Sequence, residues 1–497
     1  MGEESDMEWE LQGQEEAQRV FYYFEEISRI PRGSGNTKQI SDYCVAFAKE
    51  HGLKVKQDQA GNVIICKDGS KGRKQDEPVI LQGHLDMVCE KDPDYSIDFT
   101  KDGLDLYTEG DFLQARGTTL GADDGIAIAY ALAILENQEI SHPPIEAVFT
   151  VDEEIGLLGA AALDCSVLRG RQMINIDMDV EGSFIVGCAG GRRIDCRIPV
   201  SYEEDHGEAY SLTIGGLKGG HSGSEIDEER GNAIALSGRV LKAIADEVTI
   251  SLISLEGGQM DNAIPRSVTA RVLVPTEEKD AFCQAVSKQE ACLRREYRDT
   301  DSNLKITVLA EGERREKVLS LSSMVKVLFF LREMPYGVIS RSKKMPGLVE
   351  TSLNPGIMRL TDETDDDGPV FSVAFSVRSS VSSRKEELTE RLSFLTEFLG
   401  GEASISGDYP GWDCKLQSEV QQKMCACYRA LTGKEPQVMA IHAGLECGIF
   451  SDRLQGLDCI SLGPDCFDIH TTKERLSISS AVRCYRLLLA FLAERDA

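Results

Sequence analysis

Between residues 78 and 179 one arrangement recurs: a short, unbroken apolar run stops on ionisable side chains. Pro78 to Leu81 leads into Gly83-His84-Leu85-Asp86, Ile145 to Val151 into Asp152-Glu153-Glu154, and Met173 to Ile176 into Asp177-Met178-Asp179. Runs this short and this apolar suit strands covered on both faces, as in a parallel sheet flanked by helices. The alanine-rich stretch Ile126 to Leu135, long enough for a buried helix, separates the first two. In such sheets active sites lie beyond the carboxyl ends of the strands, so the pattern fixes where chemistry can collect.

The side chains at those ends suit a cation. Residues i and i+2 of a strand face the same side, so Asp86 can orient the His84 imidazole as carboxylates orient metal-bound histidines. Gly117-Thr-Thr-Leu-Gly-Ala-Asp123-Asp124-Gly precedes the helical run, where two aspartates either cap the helix or aim a carboxylate at a cation. The acids 152–154 are either a solvated strand end or a group held together by positive charge. Near the other end of the chain, a strand from Cys459 to Leu462 continues the first sheet, with Asp468-Ile469-His470 just beyond it. His84, Asp123, Glu154 (or Glu153), Asp177 and His470 offer nitrogen and oxygen donors without thiolate, a set for Zn²⁺, Mn²⁺ or Co²⁺. Five donors exceed what one tetrahedral zinc needs and suit two metals sharing a carboxylate, which leaves one glutamate of the 153–154 pair as a base.

At 497 residues the chain exceeds one ordinary core and calls for two domains or an insertion. From about Cys196 the texture changes to strands and helices of an α+β layer, enough for two related sandwiches, and the earlier style returns after the helix Arg384 to Leu399. The division is 1–195 for the first part of a catalytic domain, 196–395 for the insertion and 396–497 for the second part. The fold class is thus α/β, a mixed, largely parallel sheet flanked by helices, with an inserted α+β domain. A formal charge of −29 excludes nucleic acid as a partner, because phosphate binding needs a basic surface. No stretch approaches the roughly 20 apolar residues that span a bilayer, and the acidic N-terminal stretch lacks the basic flank and apolar core of a secretory signal. The fifteen cysteines, scattered and odd in number, read as reduced thiols of a cytoplasmic protein.

Together, His84-Leu-Asp86, Gly121-Ala-Asp123-Asp124-Gly, Asp152-Glu153-Glu154-Ile-Gly156, Ile176-Asp177, Gly220-His221-Ser-Gly and His470 resemble the dizinc exopeptidase family that includes aminoacylase, peptidase T and carnosinase. Gly187-Cys-Ala-Gly-Gly191, Gly220-His221-Ser-Gly-Ser-Glu-Ile-Asp, Leu348-Val-Glu-Thr-Ser352 and Ile441-His-Ala-Gly-Leu-Glu-Cys-Gly448 narrow this to the Xaa-His dipeptidases. The resemblance implies two divalent ions, zinc first with manganese or cobalt as alternatives: His84 and Asp177 on one, Glu154 and His470 on the other, Asp123 bridging. It implies a cis Asp123–Asp124 bond, Asp86 behind His84, and Glu153 as general base activating a metal-bridging hydroxide against an unblocked dipeptide. The insertion would be the lid and a possible homodimer element. His221 would stabilise the oxyanion, Asn262 and Arg378 would bind the substrate's carboxyl end, and His442 and Glu446 would line the pocket. Thr471-Thr472 stands where relatives carry serine and proline, which leaves the pocket rim and side-chain preference open. The rival readings are a deacylase of N-acyl amino acids on the same scaffold and a non-catalytic peptide-binding protein.

Overall fold

The structure, a computed structural model, describes residues 17–365, 368–415 and 418–495. The acidic N-terminal stretch lies outside them. The described residues form two compact units: one comprises those up to Cys188, those of Trp412–Ala440 and those from Leu445, the other those of Ala189–Gly411 and Ile441–Gly444.

The first unit is built on an eight-stranded sheet, in the order Lys54–Gln57, Val63–Lys67, Ile145–Thr150, Val79–His84, Gln172–Asn175, Asp458–Ser461, Ser183–Cys188 and Gln437–Ile441. The four strands from Ile145–Thr150 to Asp458–Ser461 run parallel to one another, and antiparallel strands flank them. Every residue of Val79–His84, Ile145–Thr150 and Gln172–Asn175 is buried, as unbroken apolar runs require. The helix Ala122–Glu136 buries every residue from Asp124 to Leu135 and so has no solvated face. Each Ile or Leu fully buried there stabilises the fold by about 1.5–3 kcal/mol relative to exposure. Register then aligns the strand ends: His84 pairs with Thr150, Gln82 with Asn175 and Asn175 with Ser461. The segments bearing Glu153, Asp177 and His470 therefore leave the sheet side by side.

A small second sheet pairs Cys466–Phe467, Arg475–Ser477, Phe112–Ala115 and Leu106–Glu109 in that order. Its first two strands bracket residues 468–474 and fasten both ends of the turn that carries His470. The helix Ile478–Ala493 follows at once, capped by Ser477, whose hydroxyl accepts the N–H of Ser480.

The second unit corrects the expectation of two sandwiches. All but two short strands of its antiparallel set form one sheet, in the order Lys305–Leu319, Tyr202–Gly215, Val268–Val274, Ser251–Gly257, Val349–Asp365, Gly368–Ser379, Gly190–Pro199 and Glu402–Tyr409, with Gly337–Arg341 paired to Val349–Asp365 off this path, while Gly220–His221 and Ala263–Ile264 pair apart from it. Two four-stranded halves meet at a seam where Leu255–Gly257 pair with Met358–Leu360. The strand Val349–Asp365 makes this possible, because its 17 residues pair with Gly368–Ser379 on one edge and still reach Ser251–Gly257 on the other. One apolar core runs beneath both halves, from Ile214 and Val272 to Phe371 and Phe375. Among the described residues no helix is long and apolar enough to cross a membrane. All fifteen cysteines are free thiols.

Candidate metal centre

At the carboxyl ends of the parallel strands the structure gathers His84, Asp123, Glu153, Glu154, Asp177 and His470. Asp123 stands between the two histidines: its Oδ1 lies 3.1 Å from His84 Nε2 and its Oδ2 3.2 Å from His470 Nε2. Glu154 Oε1 is 2.9 Å from His470 Nε2, and Asp177 Oδ1 is 3.9 Å from His84 Nε2. Donor atoms within 4.8 Å of one another form three groups: His84, Asp123 and Asp177; Asp123, Glu154 and His470; and His84, Glu153 and Glu154. The first two share Asp123. The Asp123–Asp124 peptide bond is cis, and both residues depart from helical torsions inside Ala122–Glu136.

The electrostatics are those of a site short of positive charge. Burial, reinforced by the charge of Asp123, lifts Asp177 well above the usual carboxylate range, and burial lifts Glu153 likewise. Hydrogen bonds to Asp123 and Glu154 raise His470 to about 10. Despite burial, its bonds to Asp123 and Asp86 also raise His84. Crowded carboxylates that hold protons on two histidines make a donor set suited to divalent cations, which would displace those protons. The residues present therefore fit a pair of metal ions.

Asp86 does more than its spacing suggests. Its Oδ1 lies 3.4 Å from His84 Nδ1, which also meets the Asp86 carbonyl at 3.1 Å. The same carboxylate accepts the backbone N–H of Glu153 at 3.0 Å and of Glu154 at 3.2 Å, and the Ser34 hydroxyl at 2.8 Å. Against the effect of burial, these partners, His84 foremost, hold the Asp86 carboxyl down at about 2. Asp124 fastens the strand end by accepting the His84 N–H at 3.1 Å. A side chain on Gly83 would meet the Asp124 carboxylate at 2.5 Å, which is why glycine precedes the histidine.

Glu446 has no exposed surface: its carboxylate accepts from Gln82 Nε2 and Thr150 Oγ1 beneath the strand ends, and burial raises it to about 7. Thr471 and Thr472 secure the turn by hydrogen bonds, the first to the Asp468 carbonyl at 2.7 Å and the second to Asp92 at 2.6 Å. Of the remaining histidines, His51 caps a helix, His142 is buried in a loop and His206 is exposed on a strand.

The second unit holds its own polar cluster. His221 Nδ1 accepts the N–H groups of Gly223 and Ser224 at 3.3 and 3.1 Å, so its proton sits on Nε2. Burial and the charge of Arg378 keep this imidazole neutral. Arg378 is buried, donates to the Tyr409 hydroxyl at 3.1 Å and leaves Nε without a partner; among the described residues no carboxylate pairs with it. His442 Nε2 lies 2.7 Å from Ser352 Oγ, and burial with the Arg378 charge lowers it to about 3. The Asn262 backbone carbonyl accepts the Ser222 N–H at 2.8 Å, and its side chain is exposed.

Two residues of the first unit escaped the sequence reading. Glu474 accepts four backbone N–H groups of the loop before Asp123, and Arg32 donates to carbonyls beside His84 and Asp123. Glu474 had only its place four residues after His470 to mark it. Arg32 had nothing.

Set against known proteins, residues 80–494 match the model of peptidase family M20/M25/M40. The cytosol non-specific dipeptidase of Escherichia coli (strain K12) is 36% identical over 480 residues, which cover 96% of this chain and 97% of the relative. The crystal structure of aminoacylhistidine dipeptidase from Vibrio alginolyticus superimposes with a TM-score of 0.87 at 33% identity, covering 96% of this chain and 97% of that one. Aminopeptidase PepT from Bacillus cereus ATCC 10987, at 17% identity and a TM-score of 0.54 over 97% of this chain and 98% of its own, shares the fold.

Proposed function

The chain belongs to peptidase family M20/M25/M40, and on that premise we propose how its residues divide the work of metal-dependent dipeptide hydrolysis. The observation that carries the reading is Asp123, whose two oxygens each face one histidine, with Glu153 held beside them. His84 and Asp177 would hold one ion and Glu154 and His470 the other, with Asp123 within reach of both groups. Two divalent cations bound there supply Lewis-acid polarisation of the scissile carbonyl and acidify water. Zinc is the first choice for this donor set, with manganese and cobalt as alternatives.

Glu153 takes a proton from the attacking water and returns it to the leaving amine, a role that suits a carboxylate whose proton affinity burial has raised. Asp86 orients both His84 and the backbone of Glu153. His221, with its proton on Nε2, donates to the developing oxyanion. Arg378 and Asn262 take the substrate's carboxylate; a buried guanidinium with no acidic partner among the described residues supports this. Glu446, enclosed by Gln82 and Thr150, supports the strand ends from below rather than touching substrate.

The substrate class is unblocked dipeptides, the Xaa-His type among them, as the names of the Escherichia coli and Vibrio alginolyticus relatives suggest. The cytosolic name of the former supports a cytoplasmic location. Leu321, Val325 and Phe329, exposed at successive turns of Leu321–Glu333, support a homodimer, which light scattering would test. The central test is metal analysis of the purified protein with a panel of free dipeptides and N-acyl amino acids. Two ions per chain and turnover of free dipeptides are expected, and turnover of acyl substrates alone would sink the dipeptidase reading.

A further inference from the structure

We propose that Glu474, with Arg32, is a positioning pair that sets the metal centre before any ion binds; the inference rests on the reading of that centre given above. Glu474 is 3% exposed. Its Oε2 accepts the N–H groups of Leu120 and Gly121 at 2.8 and 2.9 Å, and its Oε1 those of Ala122 and Asp123 at 2.8 and 3.4 Å. Four backbone donors on one carboxylate, with the Cys466 thiol 3.9 Å from Oε1, fill its acceptor capacity and fix the loop's path in three dimensions. The last of them belongs to Asp123 itself.

Arg32 completes the frame from the other side. Its Nη1 donates to the carbonyls of Leu85 and Asp86, both at 3.2 Å, and its Nη2 to the carbonyl of Gly121. The guanidinium fits because of glycine: a Cβ on Gly121 or Gly125 would lie 2.6 Å from Nη2. The strand end of His84, the loop of Asp123 and the turn of His470 are thus joined through two side chains that supply no metal-ligating atom. Three of the five ligand-bearing segments, remote in sequence, share one buried acid and one buried base. Partners of this kind around a ligand set typically govern metal affinity by about 10–100-fold.

The test uses the full chain stripped of metal and titrated with Zn²⁺ against a competing chelator. In E474Q an amide faces the N–H groups, and affinity for at least one of the two ions should fall about tenfold or more, within the range of such partners. Its kcat should fall with KM unchanged and recover as free Zn²⁺ is raised. E474D, which keeps the charge but withdraws it by one methylene, should likewise bind Zn²⁺ more weakly than the wild type and serves if E474Q fails to fold. Hydrogen exchange of the metal-free wild type needs no variant: the amides of residues 120–123 should already be protected.

Wild-type Zn²⁺ affinity in whichever variant folds overturns the proposal, as does rapid exchange of those amides in the metal-free wild type. A wild type that binds no divalent ion overturns the functional reading as well, so the two failures are distinct.

Discussion

The backbone N–H of Glu153 donates to Oδ1 of Asp86 at 3.0 Å, the same oxygen that lies 3.4 Å from His84 Nδ1. One carboxylate therefore aims a metal ligand and the base. D86A should lower metal affinity by about 10–100-fold and, unlike a defect in metal binding alone, leave kcat depressed at saturating Zn²⁺. Metal-saturated kcat measures the second part.

Glu153 itself is separable from metal binding. E153A should retain both ions by elemental analysis and lose about 10²–10⁴-fold in kcat, the range of a positioned acid or base. Normal turnover by this variant would remove the assigned base.

Arg378 makes a claim on the substrate's terminus. R378M should lower kcat/KM for free dipeptides by roughly 10–150-fold, the worth of a hydrogen bond to a charged group. Dipeptides with an amidated C-terminus should barely distinguish variant from wild type. An equal loss on both substrates would place Arg378 elsewhere in the reaction.

His221 should act on the rate instead. H221A should reduce kcat by about 10²–10³-fold with little change in KM, as loss of an oxyanion donor does. A raised KM at constant kcat would contradict that role.

The metal-free protein should be sensitive to alkali. Hydrogen bonds to Asp123 and Glu154 raise His470 to about 10 in the folded chain, above the ordinary histidine value near 6.5. The stability this contributes is complete below that ordinary value and is lost as pH rises through the folded one. Tm of the stripped protein should therefore decline between pH 7 and 10, while the zinc-loaded protein, whose His470 carries no proton to lose, should change less. Calorimetry on both forms over that window decides it.

What the sequence revealed follows the physics of burial. His84, Glu154 and Asp177 were legible because buried parallel strands leave unbroken apolar runs, and polar residues just after such runs stand out. Asp123 and His470 were legible as members of the set only once the others were in hand. Glu474 and Arg32 were not, because nearly all their partners are backbone N–H and C=O groups, which every residue carries. The helix Lys279–Glu296 escaped for another reason: only Phe282, Ala285, Val286 and Leu293 of its 18 residues are buried, too thin a stripe to register. The seam of the second unit was hidden because three paired residues leave no periodicity to read.

The place of Asp458–Ser461, between Gln172–Asn175 and Ser183–Cys188, sets an order of events on the ribosome. Those two strands are made early and close together in the chain, yet each must keep an edge vacant while more than half of the protein is still to be synthesised. The second unit can fold in that interval, since its strands come almost entirely from Ala189–Gly411. The first sheet closes only when the late strand slides into its slot, and His470 follows it. The ligand set of the metal centre is thus complete only once His470 has been made.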